Sequence, residues 1–136
     1  MKRVSLIAGN WKMYKTGHEA VDAAKALALL CTDVKEVEVM IAPSFLSLPL
    51  VAETLKGSNV FSGAQNLHFE KEGAFTGEVS GPMIRTAGAE YVIIGHSERR
   101  QYFGESDAGV CNKVKAALEA GLKPIVCIGE TEQERE

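Results

Sequence analysis

The feature that most constrains this fold is a series of short, almost wholly apolar segments, each followed by a stretch with helical spacing. Val4–Ala8, Val37–Ala42, Val60–Ala64, Tyr91–Gly95 and Lys123–Ile128 read as five strands. They are near-continuous in apolar residues rather than alternating, as expected of parallel strands covered on both faces. Helical spacing follows at His18–Leu30, with Val21, Ala24, Leu27 and Ala28 on one face, and again from Pro43–Ser44 to about Lys56. Ser80–Gly81–Pro82 opens a short helix over Met83–Ala87, with Gly88 as its cap, and Asp107–Ala120 is closed by Gly121. The order is β-α four times plus a fifth strand, so the fold class is α/β with right-handed crossovers. Residues 1–136 are expected to form one domain, large enough for a hydrophobic core.

Two architectures accommodate such a chain. One is an open doubly wound sheet, complete at this length. The other is an arc of a (β/α)8 barrel, whose usual length is about 250 residues. Strand order separates them, because a barrel arc keeps 1-2-3-4-5 in sequence whereas a doubly wound sheet reverses at a switch point.

Composition excludes several function classes. Net charge is −3, and Arg99–Arg100, the one basic pair worth noting, is too small for a nucleic-acid footprint. No apolar run approaches the ~18 residues of a membrane span. The start, MKRVSLIAGNWKM, lacks the apolar length and cleavage site of a signal peptide. The expectation is a cytoplasmic protein with neither nucleic acid nor membrane as partner. Cys31, Cys111 and Cys127 are odd in number and widely spaced, which fits reduced, buried thiols rather than a disulfide framework or a metal site.

In both architectures the site lies beyond the carboxyl ends of the strands. There the sequence places Gly9–Asn10–Trp11–Lys12, Gln65–Asn66, His96–Ser97–Glu98 and Gly129–Glu130. Any one group could be a polar residue meeting solvent. Together an amide, an ammonium, an imidazole and a carboxylate suit an anionic substrate with an oxygen that develops charge. Ser97 is expected to cap a helix with Glu98 in its first turn. The positive potential of that helix start disfavours a protonated His96, while a neutral imidazole still donates one hydrogen bond. The plainer reading of His96 is a core-edge histidine bonded to a backbone carbonyl, and that of Lys12 a solvated lysine. The connection from Gln65 to Val79 is long for a structureless loop, which points to a function.

At these residues a resemblance emerges. AGNWKM at 8–13 and YVIIGHSERR at 91–100 are similar to two N-terminal motifs of the triosephosphate isomerase family. APSFLSL at 42–48, GAQN at 63–66, GAFTGEVSGPMI at 73–84 and PIVCIGET at 124–131 extend the match over essentially the whole chain. The resemblance implies an N-terminal arc of a (β/α)8 TIM barrel, with about five parallel strands and four helices. It implies interconversion of dihydroxyacetone phosphate and glyceraldehyde 3-phosphate through an enediolate, in glycolysis and gluconeogenesis. His96 would be the neutral electrophile, Lys12 the cation for phosphate and enediolate, Asn10 a substrate-binding residue, and Glu98 a site carboxylate that helps hold Lys12. The 65–79 loop, with Thr76 near its tip, would enter a second subunit beside the loop around Tyr14, giving a homodimer. Neither a metal nor an organic cofactor is implied.

The family's catalytic glutamate follows its sixth strand, and no residue here matches it, nor the mobile lid, nor the glycine-rich phosphate loops after strands seven and eight. Thr131–Glu134 reads as a capping box opening a helix, and the sequence ends at Glu136 within that turn. The expectation is a C-terminally truncated part of a barrel, inactive by itself and prone to self-association through unpaired edges. One rival is a non-catalytic folding or assembly piece of the same barrel. The other is a stand-alone doubly wound binding domain, against which GNWKMYKTG offers no G-x-G-x-x-G fingerprint.

Overall fold

The structure, a computed structural model, describes residues 2–136. Strand β1 (Ser5–Asn10) leads into helix α1 (Gly17–Leu30), then β2 (Val37–Ala42), α2 (Leu48–Leu55), β3 (Val60–Ala64) and α3 (Gly81–Thr86). Strand β4 (Tyr91–Ile94) follows, then α4 (Ser97–Phe103), α5 (Asp107–Glu119), β5 (Lys123–Val126) and the short α6 (Glu132–Arg135). All five expected strands form, and β1 starts one residue later than expected and runs two further, so that Asn10 ends the strand itself. Among the described residues there are six helices rather than four. The additional ones are single turns or little more: α4, begun at the motif after β4, and α6, begun by Thr131 and Glu134.

Local chemistry explains the boundaries. The Thr16 amide donates to the Glu19 carboxylate at 2.7 Å, opening α1. The Ser80 and Ser106 hydroxyls accept amide protons of Met83 and Gly109 at the starts of α3 and α5. Helix α2 begins at Leu48, later than Pro43–Ser44, because residues 44–47 close a separate turn with Ser47 N–H on Ser44 C=O at 3.1 Å. Pro49 then falls in the first turn of α2, where its missing N–H costs nothing.

The sheet is parallel throughout and ordered β1-β2-β3-β4-β5. Consecutive order without a switch point excludes the doubly wound alternative and makes the sheet an arc of a barrel. Side chains alternate between two layers. Met40, Ala42, Tyr91 and Ile93, joined by Leu6, Phe61 and Ile125 of the strands and by Cys127 just after β5, form the inner layer. Outside, Ile41 and Val60 pack on Ala20, Ala24, Val51 and Leu55 of α1 and α2. Ala64, Val92 and Ile94 pack on Ile84, Val110 and Ala117 of α3 and α5.

The expectation of three buried thiols is corrected. All are free, but only Cys31 is buried; Cys111 lies on the solvent side of α5 and Cys127 is half-buried. Burial pushes the Cys127 thiol above its ordinary value. The 65–79 connection is not structureless either. His68 N–H donates to Val79 C=O at 2.8 Å, closing the loop at its base, and the His68 ring sits between Phe69 and Phe75 at centroid distances of 4.5 and 4.4 Å. Among the described residues, no helix is long and apolar enough to cross a membrane.

Candidate active site

The carboxyl ends of β1 and β4 bring four of the expected residues together. Asn10 closes β1, and its Oδ1 accepts the Lys12 amide proton at 2.9 Å. Lys12 Nζ donates to Glu98 Oε1 at 2.6 Å, although the two residues are 86 positions apart. Glu98 belongs to the first turn of α4, whose N-cap is His96, not Ser97. The imidazole itself does the capping: His96 Nδ1 accepts the Glu98 amide proton at 3.2 Å. This corrects the assignment of Ser97. The reason is local, since Ser97 already has helical geometry and the residue before it is the one in extended conformation, at φ −53, ψ 141.

That bond also fixes the tautomer. With the Nδ1 lone pair engaged by an amide, the ring proton sits on Nε2 as a donor. Glu98 Oε2 lies 3.5 Å from Nδ1, farther than the amide that Nδ1 accepts, and the carboxylate faces the closer Lys12 ammonium instead.

Lys12 and Glu98 tune one another. The hydrogen bond from Lys12, opposed by partial desolvation and supported by the charge of Lys12, holds Glu98 below the usual carboxylate range. The same hydrogen bond and the charge of Glu98 raise Lys12. Both side chains remain 45% and 42% exposed, so the pair is open to a ligand rather than sealed. Lys12 also carries a left-handed backbone, φ 54, unusual for a residue with a Cβ. Such a conformation costs about 1–3 kcal/mol and persists only where the surroundings over-determine it.

The remaining rim residues fall into two groups. Gln65 and Asn66, noted in the sequence as polar strand-end groups without a task, both have tertiary partners. Gln65 Nε2 donates to the carbonyls of Lys12 and Ala42. Asn66 Oδ1 accepts from Lys113 at 2.9 Å, and Lys113 with Arg99 clasps Glu105 at 3.1 and 2.9 Å. Nothing in the sequence signalled the last cluster beyond the charges themselves. Tyr14 and Thr76 are exposed and, among the described residues, make no hydrogen bond to the Lys12–Glu98–His96 group. Surface cavities of about 310 and 450 Å3 share Lys56, Gly57 and Ser58 beside the start of β3, at the opposite end of the sheet, and hold none of the rim residues. Barrel sites lie at the carboxyl ends, so the polar rim and not these cavities is the candidate site.

Consecutive parallel strands with a polar rim at their carboxyl ends define the class: a (β/α)8-barrel protein. The sequence model of triosephosphate isomerase matches residues 5–136. A triosephosphate isomerase of Endomicrobium trichonymphae is 58% identical over 98% of this chain and 54% of its own length. One from Acetivibrio thermocellus is 55% identical over 100% of the chain and 54% of its own. The crystal structure of triosephosphate isomerase from Bartonella henselae superposes with a TM-score of 0.91 at 44% identity, covering 96% of this chain and 54% of that one. The chain belongs to the triosephosphate isomerase family. It spans about half the length of the curated relatives it matches.

Proposed function

We propose that residues 1–136 supply the electrophilic side of an active site that interconverts dihydroxyacetone phosphate and glyceraldehyde 3-phosphate, in glycolysis and gluconeogenesis. The observation that carries this reading is the joining of Lys12, Glu98 and His96 at one rim, with Lys12 Nζ 2.6 Å from Glu98 and His96 Nδ1 capped by an amide. A His96 ring whose proton sits on Nε2 donates to the substrate carbonyl and polarises it, so that the adjacent C–H becomes acidic. As the enediolate forms, negative charge collects on oxygen, and the Lys12 ammonium stabilises it and the phosphate. The neutral imidazole then relays a proton between the two oxygens. Asn10 orients Lys12 through its amide and binds the substrate, and Glu98 keeps the ammonium charged and in place. No metal or organic cofactor enters this chemistry.

The abstraction of the C–H proton needs a base that these residues do not supply. Residues 1–136 by themselves are therefore inactive, since loss of a positioned base costs about 10²–10⁴-fold. The partner is a second copy, with the 65–79 loop and Thr76 entering beside Tyr14, and the setting is the cytoplasm. The alternative, an assembly piece without chemistry, is favoured by one observation: β1 and β5 are both unpaired edges.

A coupled isomerase assay tests both readings. It compares residues 1–136 alone with the same residues joined to the C-terminal half of the Acetivibrio relative. Turnover by the joined barrel, falling at least about 10²-fold in His96→Ala, is expected. A folded joined barrel without turnover overturns the catalytic reading. Turnover by residues 1–136 alone overturns the claim of inactivity.

A further inference from the structure

We propose that Gln65 is a positioning residue for Lys12: its side-chain amide braces the loop after β1 in the one backbone conformation that delivers the ammonium to Glu98. This rests on the catalytic reading above and deepens it. Gln65 follows the last residue of β3, and its Nε2 donates to Lys12 C=O at 2.8 Å and to Ala42 C=O at 2.9 Å. These partners are 53 and 23 positions away in sequence, so one amide nitrogen ties the ends of three adjacent strands. Ala42 C=O also accepts the Trp11 amide proton at 3.0 Å. The residue before Lys12 and the carbonyl of Lys12 itself are thus held against the same point of β2.

Lys12 needs such a hold because its φ of 54 lies where a residue with a Cβ does not settle unaided. Asn10 Oδ1 fixes the amide side of the residue at 2.9 Å and Gln65 fixes the carbonyl side at 2.8 Å. With both, φ and ψ are clamped and the long side chain leaves the loop toward α4. Without Gln65 the carbonyl loses its partner, the peptide is free to rotate to the right-handed region, and the ammonium leaves Glu98. Displacements of about 1 Å at a reacting group cost on the order of 10²-fold in rate. A glutamine that merely secured the sheet end would affect stability and leave the Lys12–Glu98 pair untouched.

Gln65→Met keeps the length and removes the donor, and Gln65→Glu keeps the shape and sets carboxylate oxygens against two carbonyls. Two measurements are made on each. In residues 1–136 labelled with 13C at glutamate side chains, the Glu98 carboxyl is titrated by NMR. Its titration is expected to move up toward the ordinary carboxylate value in both variants, as it does in Lys12→Met. An unchanged Glu98 midpoint in a folded variant overturns the proposal. In the joined barrel, each variant is expected to lower kcat/KM about 10–100-fold when Lys12 is present and less than about 2-fold in a Lys12→Ala background. Losses that multiply in full in that background overturn it, because Gln65 would then act independently of Lys12. A joined barrel with no isomerase activity before substitution counts against the catalytic reading alone, and the Glu98 titration then decides the role of Gln65. Should Gln65→Met not fold, Gln65→Glu provides the same comparison.

Discussion

His96 owes its placement to the residue before it. Gly95 adopts φ +72, and a Cβ there would stand 2.9 Å from Val110 Cγ2 and 3.0 Å from Arg100 Nη2. Arg100 in turn donates from Nε to Gly95 C=O at 2.8 Å. Gly95→Ala must therefore accept a left-handed alanine and displace a packed valine, and a loss of about 2–4 kcal/mol is expected in urea unfolding. Unchanged stability would mean that the strand-to-helix turn relaxes freely. The second prediction at this scale concerns charge. Glu98→Gln removes the hydrogen-bonded carboxylate that raises Lys12, so the Lys12 titration should fall toward the ordinary 10.5, followed through its side-chain 13C shifts. The sign follows from both partners. Glu98 is depressed, so the pair weakens as pH falls through its lowered value; Lys12 is raised, so the pair weakens again as pH rises through its elevated one. The gathering of Asn10, Lys12, His96 and Glu98 at one rim was legible in sequence because polar residues at the carboxyl ends of parallel strands share one side of the sheet. The left-handed Lys12 and its glutamine brace were not, since they depend on hydrogen bonds between segments whose separation in space no local pattern records.

At the scale of elements, some helix starts were legible and their tertiary ties were not. Ser80 and Thr131 announce α3 and α6 because a hydroxyl before a helical run satisfies an orphan amide wherever it occurs. His96 escaped that logic, since imidazole is not an ordinary cap, and it was noticed for its chemistry instead. The tie between α4 and α5 could not be read at all. Glu105, on the link between them, has a side chain only 5% exposed and sits between Arg99 at 2.9 Å and Lys113 at 3.1 Å. Burial would raise its pKa, but the hydrogen bonds and charges of Lys113 and Arg99 outweigh that and hold it below the ordinary carboxylate value. Stability should therefore fall as pH drops from the ordinary carboxylate range through this depressed value, and Glu105→Gln should flatten that slope in acid unfolding curves. Lys113→Met strips one partner from a buried carboxylate and leaves Asn66 without its donor. A loss of about 3 kcal/mol in urea unfolding is expected, and less in Glu105→Gln/Lys113→Met, where no buried carboxylate remains and only the partly exposed Arg99 lacks its ion partner. Equal losses in the single and double variants would show that packing, not charge, holds α5 to the rim.

At the scale of the whole molecule, the β-α repeat declares parallel strands but says nothing about which strands are neighbours. Counting elements therefore left two architectures open, and the observed consecutive order closed the choice. The same order leaves β1 and β5 each with one row of unpaired N–H and C=O groups. Apolar surface follows the edges. Ile7 on β1 is 60% exposed, Val126 on β5 is 39% and Ile128 just beyond it is 91%. By strand alternation Ile7 and Val126 point to the helix side, where neighbouring strands have helices over them. Burying such side chains is worth about 1.5–3 kcal/mol each, and pairing an edge adds its backbone hydrogen bonds. The inner layer is covered, with Met40, Ala42, Tyr91 and Ile93 no more than 5% exposed, so the uncovered apolar surface of the sheet lies along its two edges. Residues 1–136 produced alone should therefore associate through β1 and β5, and sedimentation velocity should show mass rising with concentration in the micromolar range. Ile7→Lys places a charge beside the β1 edge and should shift that rise to higher concentration. Joining the C-terminal half of a relative should remove association through the strand edges and leave only the dimer of the 65–79 loop, because both edges then find partners within one chain. A compact monomer of residues 1–136, unaffected by Ile7→Lys, would mean that the arc closes its own edges and that the unpaired rows are not what drives barrel completion.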